Sequence, residues 1–192
     1  MSTADATASR LSFHTHALLA SACGVAYFYA FQLNQYWFND WLEFSHGANW
    51  IFIPSGLRLL FVLVLGATGA SGITLSSIAI NYTLGDQDAH LFNIVTGLIS
   101  GGAPYLARHL CVKFFGLDTQ LVNLSNRGFF KISVLFAIVN ALLHQTWFYY
   151  MGKTPNFFAS AIAMAVGDWL GTVLVLAGAS LAIRLLKLRS GL

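Results

Sequence analysis

Long apolar stretches follow one another along this chain, separated by short polar or small-residue runs. The first covers about Ala17 to Tyr36 and ends in a polar and aromatic loop holding Trp37, Asp40, Trp41, Glu43, His46 and Trp50. The apolar run from Ile51 to Tyr82 exceeds the ~20 residues that one bilayer-spanning helix uses, and the small, turn-prone run Gly66-Ala67-Thr68-Gly69-Ala70-Ser71-Gly72 divides it. Two spans are therefore expected, about 51–66 and 70–84. A polar turn at Gly85-Asp86-Gln87-Asp88 precedes a fourth span, about 91–114, and a fifth covers about 130–150. Lys153-Thr154-Pro155-Asn156 then turns the chain into a sixth, about 157–186. The pattern predicts an all-α, polytopic integral membrane protein, one domain built as a six-helix transmembrane bundle. The first sixteen residues are polar and carry no cleavage site close behind an apolar core, so the first span is expected to remain uncleaved.

Composition narrows the function classes. Of the 192 residues 57% are hydrophobic and 9% charged, where a soluble domain carries roughly 25% charged, which excludes a soluble globular enzyme. Disorder is excluded as well, because it needs low hydrophobicity and dense charge. Ten Lys and Arg spread singly form no phosphate-tracking stripe, so nucleic acid is not an expected partner. Cys23 and Cys111 each lie within a hydrophobic stretch and read as packing residues rather than as a disulfide framework.

The net charge of +3 is explained by sidedness. With six spans, Arg10, Lys113, Arg127, Lys131, Arg184, Lys187 and Arg189 fall on one face, whereas the other face holds Lys153 with Asp40, Glu43, Asp86 and Asp88. Because positive charge marks the cytoplasmic side, both termini are predicted to be cytoplasmic. Trp37, Trp41, Trp50, Tyr82, Trp147, Tyr149 and Tyr150 all fall at the outer helix ends, where amphipathic rings settle at the headgroups.

Two charges do not fit this scheme. Arg58 is placed roughly 12 Å below the outer surface and Asp168 roughly 18 Å, at ~1.5 Å per residue. A charge at such depth costs about 2.5–3.5 kcal/mol on the mildest insertion scale, so each should face the bundle interior and find a partner. Asn140 and His144, four apart and hence on one helix face, reach roughly 15 and 9 Å. The four side chains form a candidate buried polar layer, read either as a fixed internal clamp or as a ligand or proton site.

Backbone features add to this layer. Pro54 and Gly56 are expected to interrupt the entry to the second span, and Gly101, Gly102 and Pro104 to break the fourth near its middle, since proline removes a helix donor and clashes with the preceding turn. Ala163, Gly167 and Gly171 recur at four-residue spacing, as do Gly97 and Gly101, which lets helices approach closely. Packing within the chain is the first reading of these stripes, and a homo-oligomer the second. His144 has no second histidine at matched depth to complete a haem site, and His14 and His16 lack further ligands for zinc. Neither a metal nor another cofactor is expected. No Gly-rich nucleotide loop, nucleophile elbow or paired carboxylates are present in the sequence, so it is not read as an enzyme.

Ile53-Pro54-Ser55-Gly56-Leu57 and Gly167-Asp168-Trp169-Leu170-Gly171, with the apolar helices between them, resemble the bacterial membrane-associated sensor domain of the first type, the MASE family. The resemblance covers about residues 48–182. It implies a multi-pass sensory module of the bacterial inner membrane that recognises a small signal. Family members continue into a kinase or diguanylate cyclase, whereas this sequence stops at Leu192, so the implied signal would leave through a membrane or cytoplasmic signalling partner. Two other readings fit the same pattern: the substrate-binding subunit of an energy-coupling-type transporter, and a structural subunit of a membrane complex.

Overall fold

The computed structural model describes residues 12–85, 87–116, 118 and 125–190, with only the backbone described at 39, 40, 126 and 182–190. Arg10 and Asp86 lie outside the described residues, as do the side chains of Asp40, Arg184, Lys187 and Arg189. Among the described residues six helices carry the fold: α1 (Phe13–Leu42), α2 (Pro54–Leu65), α3 (Ala67–Leu84), α4 (His90–Phe115), α5 (Asn126–Tyr150) and α6 (Phe157–Ser190). A short antiparallel hairpin, β1 (Glu43–Ser45) and β2 (Ala48–Asn49), joins α1 to α2. Three helical segments, Phe13–Phe38, Arg127–Tyr150 and Phe157–Leu181, are long and apolar enough to cross a membrane. At ~1.5 Å per residue the 12 residues of α2 extend about 18 Å, short of a ~30 Å hydrocarbon core.

The entry to α2 differs from the expected span. Residues 43–49 pair as the hairpin, and the helix opens at Pro54 rather than at Ile51. Proline suits a first helical turn, where its missing N–H would have no partner anyway, so Pro54 starts the helix and does not interrupt it. The expected break at Gly101, Gly102 and Pro104 is likewise corrected, because α4 runs unbroken from His90 to Phe115 with Pro104 inside it. Pro104 has no N–H to offer the Ser100 carbonyl, and packing among neighbouring helices lets a buried helix accommodate proline.

Helix order follows from short connections. Gly66, at φ +57°, reverses the chain between α2 and α3, a backbone conformation that suits glycine. There α3 closes on α2 so tightly that a Cβ on Gly69 would overlap the Phe61 carbonyl. Around the bundle α1 packs on α3, α3 on α4, α4 on α5, α5 on α6, and α6 on α2, which also contacts α3 and α4. One end of the bundle holds the hairpin and the turns before α4 and α6. At the other, His16 bonds Thr68 at 2.7 Å through Nδ1 and the hydroxyl, and Lys113 and Lys131 cover Phe114 and Phe115. Much of the outer surface is apolar, with Val25, Leu75, Leu98 and Ile162 all more than half exposed.

Candidate functional site

The site is assembled by close approach of α2 and α6. A Cβ on Gly56 would lie 2.6 Å from Val175 Cβ, and one on Gly171 would overlap the Phe52 carbonyl. Gly167 meets the Asn49 carbonyl in the same way. The Gly167 and Gly171 faces thus receive β2 and the entry to α2, within the chain. The Phe52 N–H also donates to the Gly167 carbonyl at 3.1 Å, and the Ser55 hydroxyl lies 2.7 Å from the carbonyls of both Phe52 and Asp168. With the backbones locked, the next turn of α2 places Arg58 opposite Asp168.

Arg58 Nη2 donates to Asp168 Oδ1 at 3.0 Å and Nη1 to Asn140 Oδ1 at 3.2 Å. Asn140 Nδ2 donates in turn to Asp168 Oδ2 at 2.5 Å, closing a three-residue ring in which both carboxylate oxygens are engaged. The Arg58 guanidinium carbon lies 5.4 Å from the Phe52 ring centre and 5.6 Å from that of Phe136, within cation–π range on both. All three polar residues are buried, at 3%, 1% and 1% exposure for Arg58, Asn140 and Asp168.

His144 stands one turn further along α5. Its Nδ1 is 3.1 Å from the Asn140 carbonyl oxygen, which can only accept, so Nδ1 carries a proton. Nε2 faces the Ser100 hydroxyl at 3.3 Å, and Ser77 donates to Ser100 at 2.9 Å. The Ser77 and Ser100 hydroxyls thus set α3 and α4 beside the histidine, and Tyr27 of α1 lines the same cavity. Trp147 Nε1 donates to Thr96 on the same wall at 3.2 Å.

These groups line one cavity of about 230 Å³. Arg58, Asn140 and Asp168 form its deep end; Tyr27, Phe52, Ser77, Ser100 and His144 line its walls; Glu43, His46 and Lys153 stand where it reaches the hairpin end. The volume equals roughly eight water molecules at ~30 Å³ each, which is room for one small polar molecule. His46 packs on Phe92 and Phe148 with ring centres 5.8 and 5.3 Å apart. Its pKa is held below the usual histidine range by burial and by the Lys153 ammonium, with Glu43 opposing. At Gly47, φ +67°, a Cβ would lie 2.8 Å from Phe148 Cε2, so the hairpin turn packs directly on this aromatic cluster.

Arg58, Asn140, His144 and Asp168, singled out by depth and helix spacing, therefore share one cavity. Tyr27, Ser77, Thr96, Ser100 and Asn49 join them and were not singled out, since a lone hydroxyl or amide in or beside an apolar helix carries no distinguishing pattern. Gly102 and Pro104 do not line the cavity, and nothing lies within 4 Å of a Cβ built on Gly102. Among the described residues no group of three or more His, Cys, Asp or Glu could hold a metal ion. No family model, curated protein or solved structure matches the chain.

Proposed function

We propose that this protein is a membrane-embedded module that binds a small polar molecule from the outer face and passes its bound state to a partner protein. The observation that carries the reading is the cavity itself, which runs from the hairpin end to a buried, hydrogen-bonded charge pair. Buried ion pairs are weak sources of stability, and ionisable groups at membrane depth mark sites more often than scaffolding. In this reading all six helices form the membrane domain. Lys113 and Lys131 at the end opposite the hairpin favour a cytoplasmic position for that end and for both termini. The resemblance of Ile53–Leu57 and Gly167–Gly171 to motifs of the MASE sensor domains is the ground for reading a sensory role in a bacterial inner membrane.

Cysteine labelling tests the cavity. In a Cys23→Ala, Cys111→Ala background, Ser100→Cys should react with a membrane-impermeant methanethiosulfonate added to the hairpin side of sealed vesicles, and not from the opposite side. Protection from both sides would remove the reading. Affinity capture from native membranes then separates the roles. A kinase or cyclase favours sensing, an ATPase pair a transporter subunit, and a fixed stoichiometric assembly a structural subunit.

A further inference from the structure

The charges around the cavity cancel in two layers. At its deep end Arg58 faces Asp168, and near the hairpin end Lys153 and Glu43 line the same space. A lone ion entering such a net-neutral, low-dielectric space would lose its hydration with no compensating charge, whereas a molecule of zero net charge would not meet that penalty in full.

Three buried polar atoms specify more. Asn49 Oδ1 and Gln35 Oε1, on residues lining the cavity, are buried acceptors with no donor, and Arg58 Nε at the deep end is a buried donor with no acceptor. Asn49 is only 7% exposed and Arg58 3%, and buried polar groups of native proteins are nearly always paired. Asp168 meets the guanidinium through Nη2 and not through Nε, which leaves Nε without an acceptor.

Building on the ligand-binding reading above, we infer that the cavity takes a small zwitterion carrying a primary ammonium and a carboxylate. The carboxylate accepts from Arg58 Nε–H at the deep end. The ammonium donates to Asn49 Oδ1 and Gln35 Oε1, in a cavity also lined by the Glu43 carboxylate and by Phe31 and Phe52, residue types that favour a cation. A simple anion would leave the two amide oxygens without donors, and a simple cation would leave Nε without an acceptor. A quaternary ammonium has no N–H to give.

The test is thermal unfolding of the full chain in nanodiscs with alanine, β-alanine or 4-aminobutyrate, against propionate, ethylammonium, glycine betaine and glycerol. At least one of the first three should raise the midpoint by roughly 3–6 °C at ten times its Kd, and the other four should not. Asn49→Leu should weaken that binding about 10-fold or more. It removes an unpaired buried amide oxygen, so it is not expected to prevent folding, and Gln35→Leu provides a second variant of the same kind. A shift as large with propionate, ethylammonium, betaine or glycerol, or none with any probe, overturns the zwitterion. Ser100→Cys labelling from the hairpin side would show that the cavity reading survives that outcome, and its absence that both have failed.

Discussion

The same three helices are polar in one half of the bundle and dry in the other. Toward the hairpin end α2 contributes Ser55 and Arg58, α4 Thr96 and Ser100, and α5 Asn140 and His144, all buried. Toward the opposite end they contribute Leu59, Leu63, Ala107, Cys111, Ile132 and Phe136, which pack as one apolar cluster. The division thus runs across the bundle, at a level, and not along one face of each helix. Arg58 marks the boundary, with its guanidinium between Phe52 on the cavity wall and Phe136 in the dry cluster. Close-packed apolar side chains contribute stability through buried area and contact, while the polar half contributes directional groups that need partners. The contrast assigns folding mainly to one half and recognition to the other.

Breaking the charge pair at the boundary is the largest expected perturbation. Asp168→Leu leaves a buried guanidinium unpaired, which should cost about 3–5 kcal/mol, measured by thermal unfolding in nanodiscs. Arg58→Leu should cost less, because a solitary carboxyl can neutralise itself by taking up a proton and a guanidinium cannot. The double variant Arg58→Leu/Asp168→Leu should be more stable than Asp168→Leu alone. If the double variant were the least stable of the three, the pair would be a clamp and the assignment of roles to the two halves would fail.

Truncation on either side of Arg58 sharpens the same contrast. Phe136→Ala removes a fully buried ring from the dry cluster and should cost about 3–5 kcal/mol. Ser100→Ala, in the cavity wall, removes one hydroxyl and should cost about 1 kcal/mol. Ligand-induced stabilisation should respond in the opposite order, persisting in Phe136→Ala and falling in Ser100→Ala. Unfolding midpoints with and without the zwitterionic probes measure both.

Much of this division was legible in the sequence, and what was not has physical causes. Arg58 and Asp168 stand out because membrane-depth charge is costly, and Asn140 and His144 because four-residue spacing sets them on one face. The hairpin was hidden in a polar and aromatic loop whose strands are only three and two residues long, and the late start of α2 because Ile51 to Ile53 is as apolar as the helix that follows. Pro104 was misleading for another reason. Proline predicts a break from local geometry, but in a buried helix the neighbouring helices decide whether the backbone parts. Ser77, Ser100 and Tyr27 are common residues in apolar helices, and only the packing of α1, α3 and α4 shows that they meet.

A smaller effect should appear at the mouth of the polar half. The folded-state pKa of His46 lies below its ordinary 6.5, first through burial, then through Lys153. As pH falls through about 6.5, the unfolded chain takes up the proton before the folded one does, so stability present above that pH is lost on acidification. The unfolding midpoint should therefore fall between pH 7.5 and pH 5.5. His46→Gln should flatten part of that slope, and an unchanged slope would detach His46 from the packed mouth.

The smallest expected effect falls on α4 at the level where polar gives way to dry. Gly102 is exposed inside a continuous helix and a Cβ there meets nothing within 4 Å, so Gly102→Ala should stabilise by about 0.5–1 kcal/mol through the reduced backbone freedom of the unfolded chain. Its neighbour Gly101 has the opposite environment, since a Cβ there would overlap the Thr74 side chain and the Ala70 carbonyl. Gly101→Ala should therefore destabilise by about 1–3 kcal/mol. Opposite signs at adjacent positions are expected only if α4 passes unbroken from the cavity wall into the apolar cluster. A destabilising Gly102→Ala would mean that the helix parts at this level, and the two halves would then be joined by a hinge and not by a common set of rigid helices.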